Sequence, residues 1–161
     1  MVSARRKTAA LAVLAILLPT SLLLGGRAYG QWRNFDQAQK LFQASDQDLE
    51  NGRPREALTK LERSIALYPD LIASWEARSF CYCELGENDR ALETLDEAIA
   101  RFPKSPLLWG RKANLLRQLK RYEAASVAFG TAFALEPDNY IFQRLQRDCD
   151  TKQKAPPHSP R

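Results

Sequence analysis

Apolar and small side chains recur through the central part of the chain at three- and four-residue intervals, the spacing that gathers them on one face of an α-helix. Trp75, Ser79, Tyr82 and Leu85 form one such face, and Ala91, Leu95, Ala98 and Phe102 form a second. Between the two, Gly86-Glu87-Asn88 interrupts the pattern. Glycine takes the left-handed conformation that ends a helix, and Asn88 or Asp89 is the expected cap of the next one. Pro103 closes the unit, because proline cannot extend the hydrogen-bond ladder. The pattern predicts a pair of antiparallel helices.

That pair is written three times. Ala57, Ala91 and Ala125 are 34 residues apart, as are Pro69, Pro103 and Pro137, and Leu61, Leu95 and Phe129. Ser64, Ala98 and Ala132 keep the interval, and so do Leu41, Trp75 and Trp109. Small residues stand where two helices must cross closely: Ser45, Ser79 and Ala113 on the first helices, Ala57, Ala91 and Ala125 on the second. A tandem period of this length belongs to a two-helix repeat stacked into an all-α solenoid, an architecture that offers surface rather than chemistry. The last copy needs cover for its apolar face. Tyr140, Ile141, Leu145 and Cys149, set among polar residues, predict a capping helix over residues 140–150. Residues 151–161, with Pro156, Pro157 and Pro160, read as a disordered tail.

On these residues the chain resembles the tetratricopeptide repeat family, with three units at 38–71, 72–105 and 106–139. The second matches through Trp75, Tyr82, Gly86, Ala91, Ala98 and Pro103. The third matches through Trp109, Ala113, Tyr122, Ala125, Phe129, Ala132 and Pro137. The first departs at Asp48, which stands in register with Tyr82 and Leu116 where the family carries a bulky residue. The resemblance implies a helix-turn-helix solenoid in which the first helix of each unit lines a concave groove.

Ahead of the repeats lies a different kind of segment. Arg5-Arg6-Lys7 precedes an uncharged run from Thr8 to Leu24, the form of an export signal or a membrane anchor. The run is 17 residues long, between a typical signal core and a full membrane span of about 20. Residues 1–30 are therefore expected to be a signal anchor, a transmembrane helix with the repeats on the extracytoplasmic side (the periplasm in a bacterium). Cleavage near Gly30, releasing an exported soluble domain, is the alternative, since Ala28-Tyr29-Gly30 offers small residues at the right places. A buried core helix is the third reading, disfavoured because the run has no polar face. Residues 31–37 are expected to form a connector.

Charge changes little once it is located. The net charge of +5 includes Arg5, Arg6, Lys7 and Arg27, and the rest of the chain holds 20 basic against 19 acidic residues. No general electrostatic footprint for nucleic acid remains. Cys81, Cys83 and Cys149 are too few for a disulfide framework, and two thiols two apart on a helix point about 200° apart. They read as small buried or half-buried side chains.

Candidate chemistry is sparse. The single histidine, His158, lies in the proline-rich tail. Asp46-Gln-Asp48-Leu-Glu50-Asn-Gly52 fails as a calcium loop, because its glycine comes one place late and Ala57 replaces the bidentate glutamate. No phosphate loop or zinc spacing is present, so neither cofactor nor metal is expected. The sequence predicts a non-catalytic scaffold binding a protein or peptide in its concave groove, in the assembly or stabilisation of a membrane or envelope complex. An enzyme or enzyme subunit using groove acids, and a self-associating module, are the alternatives. Helical spacing marks Gln39, Phe42, Gln43, Asp46 and Glu50 of the first unit as groove-facing. The second unit supplies Ala73, Glu76, Phe80, Cys83 and Glu84, and the third Leu107, Gly110, Arg111, Asn114, Arg117 and Gln118. Phe42 and Phe80 read either as apolar contacts or as core between helices. The acidic first two units and the basic third predict that an acidic part of the partner sits at Arg111 and Arg117.

Overall fold

The computed structural model describes residues 28–154, and all of its regular elements are helices. The first, α1, covers residues 28–50. It is followed by α2 (Pro54–Leu67), α3 (Ile72–Glu84), α4 (Asn88–Arg101), α5 (Pro106–Gln118), α6 (Tyr122–Leu135) and α7 (Tyr140–Lys154). Each helix packs on its neighbours in chain order, so three hairpins, α1–α2, α3–α4 and α5–α6, stack behind one another and α7 closes the end.

The small residues do what their register predicts. Ala57, Ala91, Ala125, Ala113 and Ser45 are fully buried, and Ser79 nearly so. Ser79 Oγ donates to the Ala91 carbonyl at 3.1 Å, fixing the crossing of α3 and α4. Ser64 satisfies its buried hydroxyl by donating to the Ala38 carbonyl at 2.8 Å and sharing a hydrogen bond with Ser74. Leu61, Leu95 and Phe129, one per repeat, are buried at the centres of the three pairs. The indole Nε1 of Trp75 donates to the Pro69 carbonyl at 2.8 Å, and that of Trp109 to the Pro103 carbonyl at 3.0 Å. A repeated tryptophan thus ties each first helix to the loop before it.

The turns inside the hairpins also repeat. Gly52 and Gly86 have φ of +66° and +75°, and Lys120, 34 residues on, has φ of +60°. Each follows a helix end sealed by the same backbone bond: Arg53 N to Asp48 O, Glu87 N to Tyr82 O and Arg121 N to Leu116 O. The amides at the start of α4 are not capped by Asn88 or Asp89. Asn88 is already the first helical residue, and Glu87 holds the cap position without a side-chain hydrogen bond.

Residues 31–37 are not a connector. They are helical and continuous with the rest of α1, and Phe35 packs edge-on against Tyr68 with ring centroids 5.1 Å apart. The stretch contains no glycine or proline to end a helix. The capping helix is real and runs four residues past its expected end at 150, taking in the start of the expected tail. The expected signal or anchor falls almost wholly on residues 1–27, and the rest of the tail, with His158, on 155–161; both lie outside the described residues. Among those described, no helix is long and apolar enough to cross a membrane.

Asp48, the residue out of keeping with its register, is buried and paired. Its carboxylate meets Lys60 Nζ from α2 and Arg53 Nη2 at 3.0 Å. Lys60 also donates to the Ala44 carbonyl at 3.2 Å. The first hairpin therefore replaces an apolar contact by an ion-pair cluster that joins its two helices.

Candidate functional site

A groove of about 480 Å³ runs across α1, α3 and α5. Its walls follow helical spacing. α1 contributes Phe42, Asp46 and Leu49; α3 contributes Ala73, Glu76, Ala77, Ser79, Phe80, Cys83 and Glu84; α5 contributes Arg111, Asn114, Leu115 and Gln118. Leu95 of α4 closes the floor. The first helices of the hairpins line the concavity, and the second helices back them.

The two aromatics have different parts. Phe42 is half-buried against Ala57, Leu61 and Cys81, so it is wall and core at once. Phe80 stands 52% exposed at the rim of the groove, an apolar surface with no covering neighbour among the described residues. Cys83 also faces the groove. Burial and then the Glu84 carboxylate push its thiol pKa up, which keeps it protonated and unreactive. The Cys81 thiol beneath is pushed up to about 11, chiefly by burial.

Three acids line the groove: Asp46, Glu76 and Glu84. Asp46 is held above the ordinary aspartate range by desolvation and then by the nearby Glu50 charge. Glu50 itself is exposed and outside the groove lining. On the third unit Arg111 is already engaged: its Nε donates to Glu76 Oε1 at 2.9 Å, bridging α3 and α5. One cation therefore answers three acids, and the groove as a whole is acidic.

The predicted basic end is thus corrected in two ways. Arg111 is partnered from the neighbouring unit, and Arg117 does not reach the groove. Arg117 lies beside α7, where its charge acts on Cys149 and Lys152, and among the described residues its side chain hydrogen-bonds only to Asn114 Oδ1, at 3.4 Å. The physical reason is α7, which packs against the end of the stack where a further repeat would continue, and so takes one side of α5 away from the groove. Gly110 goes the same way. It is buried under Phe142, and a Cβ there would lie 2.7 Å from Phe142 Cε1. Leu107, at the start of α5, is exposed and apart from the lining. Leu49 and Leu115 line the groove although neither was expected to. Both sit one position outside the stripe chosen by spacing, and the width of the concavity brings them in.

Comparison with known proteins adds a family and a fold. The family description "Tetratricopeptide repeat" matches residues 48–115 and, in a second form, 107–139. No curated protein matches the sequence. Among solved structures, the first tetratricopeptide domain of Spaghetti (RPAP3), bound to the HSP90 peptide SRMEEVD, superposes with a TM-score of 0.66 at 17% identity, covering 75% of this chain and 96% of that one. The TPR2B domain of yeast Sti1, in complex with an Hsp70 peptide, gives 0.63 at 15% identity over 72% of this chain and 98% of its own. The type III secretion chaperone SycD of Yersinia enterocolitica, with a peptide of the translocator YopD, gives 0.60 at 16% identity over 73% and 89%. At such identities the likeness speaks for the fold. A family match from residue 48 to residue 139, more than half of the 161-residue chain and in step with the stacked hairpins, makes this protein a member of the tetratricopeptide repeat family.

Proposed function

We propose that this protein is a non-catalytic interaction scaffold that holds a peptide segment of another protein in the groove across α1, α3 and α5. The observation that carries the reading is the groove's make-up: an exposed aromatic, Phe80, beside acids that outnumber the one cation, itself bonded to Glu76. The peptide complexes of its structural neighbours support the same reading. The chemistry favours an extended or helical segment with a large apolar residue for Phe80 and a lysine or arginine for Asp46 and Glu84. This replaces the acidic partner that the charge sequence along the chain suggested.

Labelled peptides carrying one leucine or phenylalanine flanked by lysines, and matched peptides flanked by glutamates, test the proposal by fluorescence anisotropy. The basic set should bind more tightly at low salt. Phe80→Ala should weaken it by about tenfold, about 1.4 kcal/mol, with helix content unchanged. Binding should also weaken as pH falls through a window above the ordinary aspartate value, because protonating Asp46 removes a charge the ligand uses. Preference for the acidic set, or indifference to Phe80→Ala, would refute this site. Crosslinks clustering at Glu93, Glu97 and Arg101 would move the partner to the outer helices.

The basic-then-apolar start of the chain supports a setting at a membrane or in an envelope complex, where tethering raises local concentration. Mass spectrometry of the mature N-terminus decides between tether and release: a chain beginning at Gln31 is exported and soluble, not anchored.

A further inference from the structure

The chain carries three tryptophans, and only two of them serve the repeats. Trp75 and Trp109 are fastened through their indole nitrogens to the Pro69 and Pro103 carbonyls. Trp32 stands 62% exposed near the start of α1, with Tyr29, 65% exposed, one turn before it. Their ring centroids are 6.4 Å apart, so the two make one patch on the side of the helix. The next aromatic along α1, Phe35, packs on Tyr68 and ties this end of the helix to the stack.

What the patch meets is indicated by the sequence on its N-terminal side. The uncharged run from Thr8 to Leu24 ends five residues before Tyr29. Five residues span at most about 18 Å in any conformation. With that run in a bilayer, the aromatic pair cannot be far from the point where the chain leaves the lipid.

Charge agrees with this placement. From Met1 to Phe35 the sequence contains no acid, and exposed Arg33 is the one charged residue between Ala28 and Phe35. The first carboxylate, Asp36, is paired with Lys40 at 2.8 Å. Headgroup phosphates beside the pair therefore meet a guanidinium and no free carboxylate. Indole and phenol rings suit that layer, because each joins an apolar body to one polar hydrogen-bonding group.

We propose that Tyr29 and Trp32 are an interfacial anchor seated in the headgroup layer of a bilayer, with Arg33 directed at lipid phosphates. The partner is the lipid surface itself, and the proposal rests on the reading of the N-terminal run as a retained tether. It gives α1 a second task. No glycine or proline occurs from Gln31 to Glu50, so the helix runs unbroken from the aromatic pair into the stack. Ala38, the first buried residue, lies six positions past Trp32, about 9 Å along the axis. Phe42, the first residue of α1 to line the groove, lies about 15 Å along it. The headgroup layer is about 5–8 Å thick on each side of a bilayer. An upright α1 thus starts the repeats just outside that layer and opens the groove where segments of other membrane proteins emerge.

The full chain in phosphatidylcholine vesicles, with bromine on the acyl chains either near the headgroup or near the methyl end, tests this by tryptophan fluorescence. Flotation of the vesicles shows first whether the chain is held in the membrane. Bromine near the headgroup should quench the wild type more strongly than bromine near the methyl end. Trp32→Phe should abolish the quenching, with flotation and helix content unchanged, because Trp75 and Trp109 are held within the stack. A chain that floats while bromine leaves its emission untouched overturns the proposal and spares the tether, since Trp32 is then in water or covered by protein. Quenching that survives Trp32→Phe overturns it as well. A chain that does not float removes the tether, and the proposal falls with it.

Discussion

Asp48 offers the sharpest test of how the first hairpin is held together. Its carboxylate is 7% exposed and lies between Lys60, 33% exposed, and Arg53. Removing Lys60 by Lys60→Met keeps the aliphatic volume and takes away the inner of two cations. Breaking a fully buried pair costs about 3–5 kcal/mol, because the remaining charge is left without compensation. Here Arg53 stays at 3.0 Å and Lys60 is partly in water, so about 1–3 kcal/mol is expected. The converse change, Asp48→Leu alone, strands Lys60 but lets its ammonium turn to solvent, and should cost less. The double variant Asp48→Leu/Lys60→Met puts an apolar residue where the other repeats have Tyr82 and Leu116, both buried. Replacing a buried ion pair by packed apolar groups is commonly neutral or stabilising.

Urea unfolding followed by circular dichroism measures all three variants, and the double-mutant cycle isolates the pair. A coupling energy of about 1 kcal/mol or more, with the double variant at least as stable as Lys60→Met, is the expected outcome. If Lys60→Met is neutral, the carboxylate is solvated in solution and the cluster does not join the helices. If the double variant is less stable than either single one, the position has room only for a polar group, and the register argument fails.

Two further substitutions probe local geometry. Lys120→Gly should stabilise the chain by about 0.5–1 kcal/mol, since a left-handed lysine costs about 1–2 kcal/mol and glycine gives back part of that through unfolded-chain entropy; thermal unfolding checks it, and a lowered midpoint would contradict the strain at φ of +60°. Gly110→Ala should destabilise by about 1–3 kcal/mol, because its Cβ falls 2.7 Å from Phe142 Cε1, and Phe142→Leu should recover part of the loss if that contact is the cause.

How much of this could be read from the sequence follows from which contacts obey the period. The hairpin crossings did: Ala57, Ala91 and Ala125 recur because every repeat packs the same way, and all three are fully buried. The start of α1 did not, because unit length puts a boundary before residue 38, whereas Gln31–Gln37 simply lacks a residue that would stop a helix. The turn register Gly52, Gly86 and Lys120 was hidden by its third member, since lysine carries no mark of a left-handed backbone. Charge in the groove was legible only residue by residue. Helical spacing put Glu76 and Arg111 on facing helices, but their pairing lies between repeats and depends on the angle at which α3 and α5 stack.

The same reasoning explains why the ends of the stack misled more than its middle. In a solenoid each unit contacts its two neighbours, so a side chain's fate depends on what stands beside its helix rather than on its own position in the repeat. Glu76 has a repeat on either side, and it lines the groove. Arg117 and Gly110 belong to the last repeat, whose neighbour is α7, a helix of different sequence that approaches closely enough to need a glycine beneath Phe142. A face that would line the groove in an endless array is therefore taken up by the cap. The groove's electrostatic character follows: with Arg117 turned toward α7 and Arg111 held by Glu76, Asp46 and Glu84 go unanswered by the third unit. The capping helix does more than shield apolar surface. It leaves the groove lined by more acids than cations.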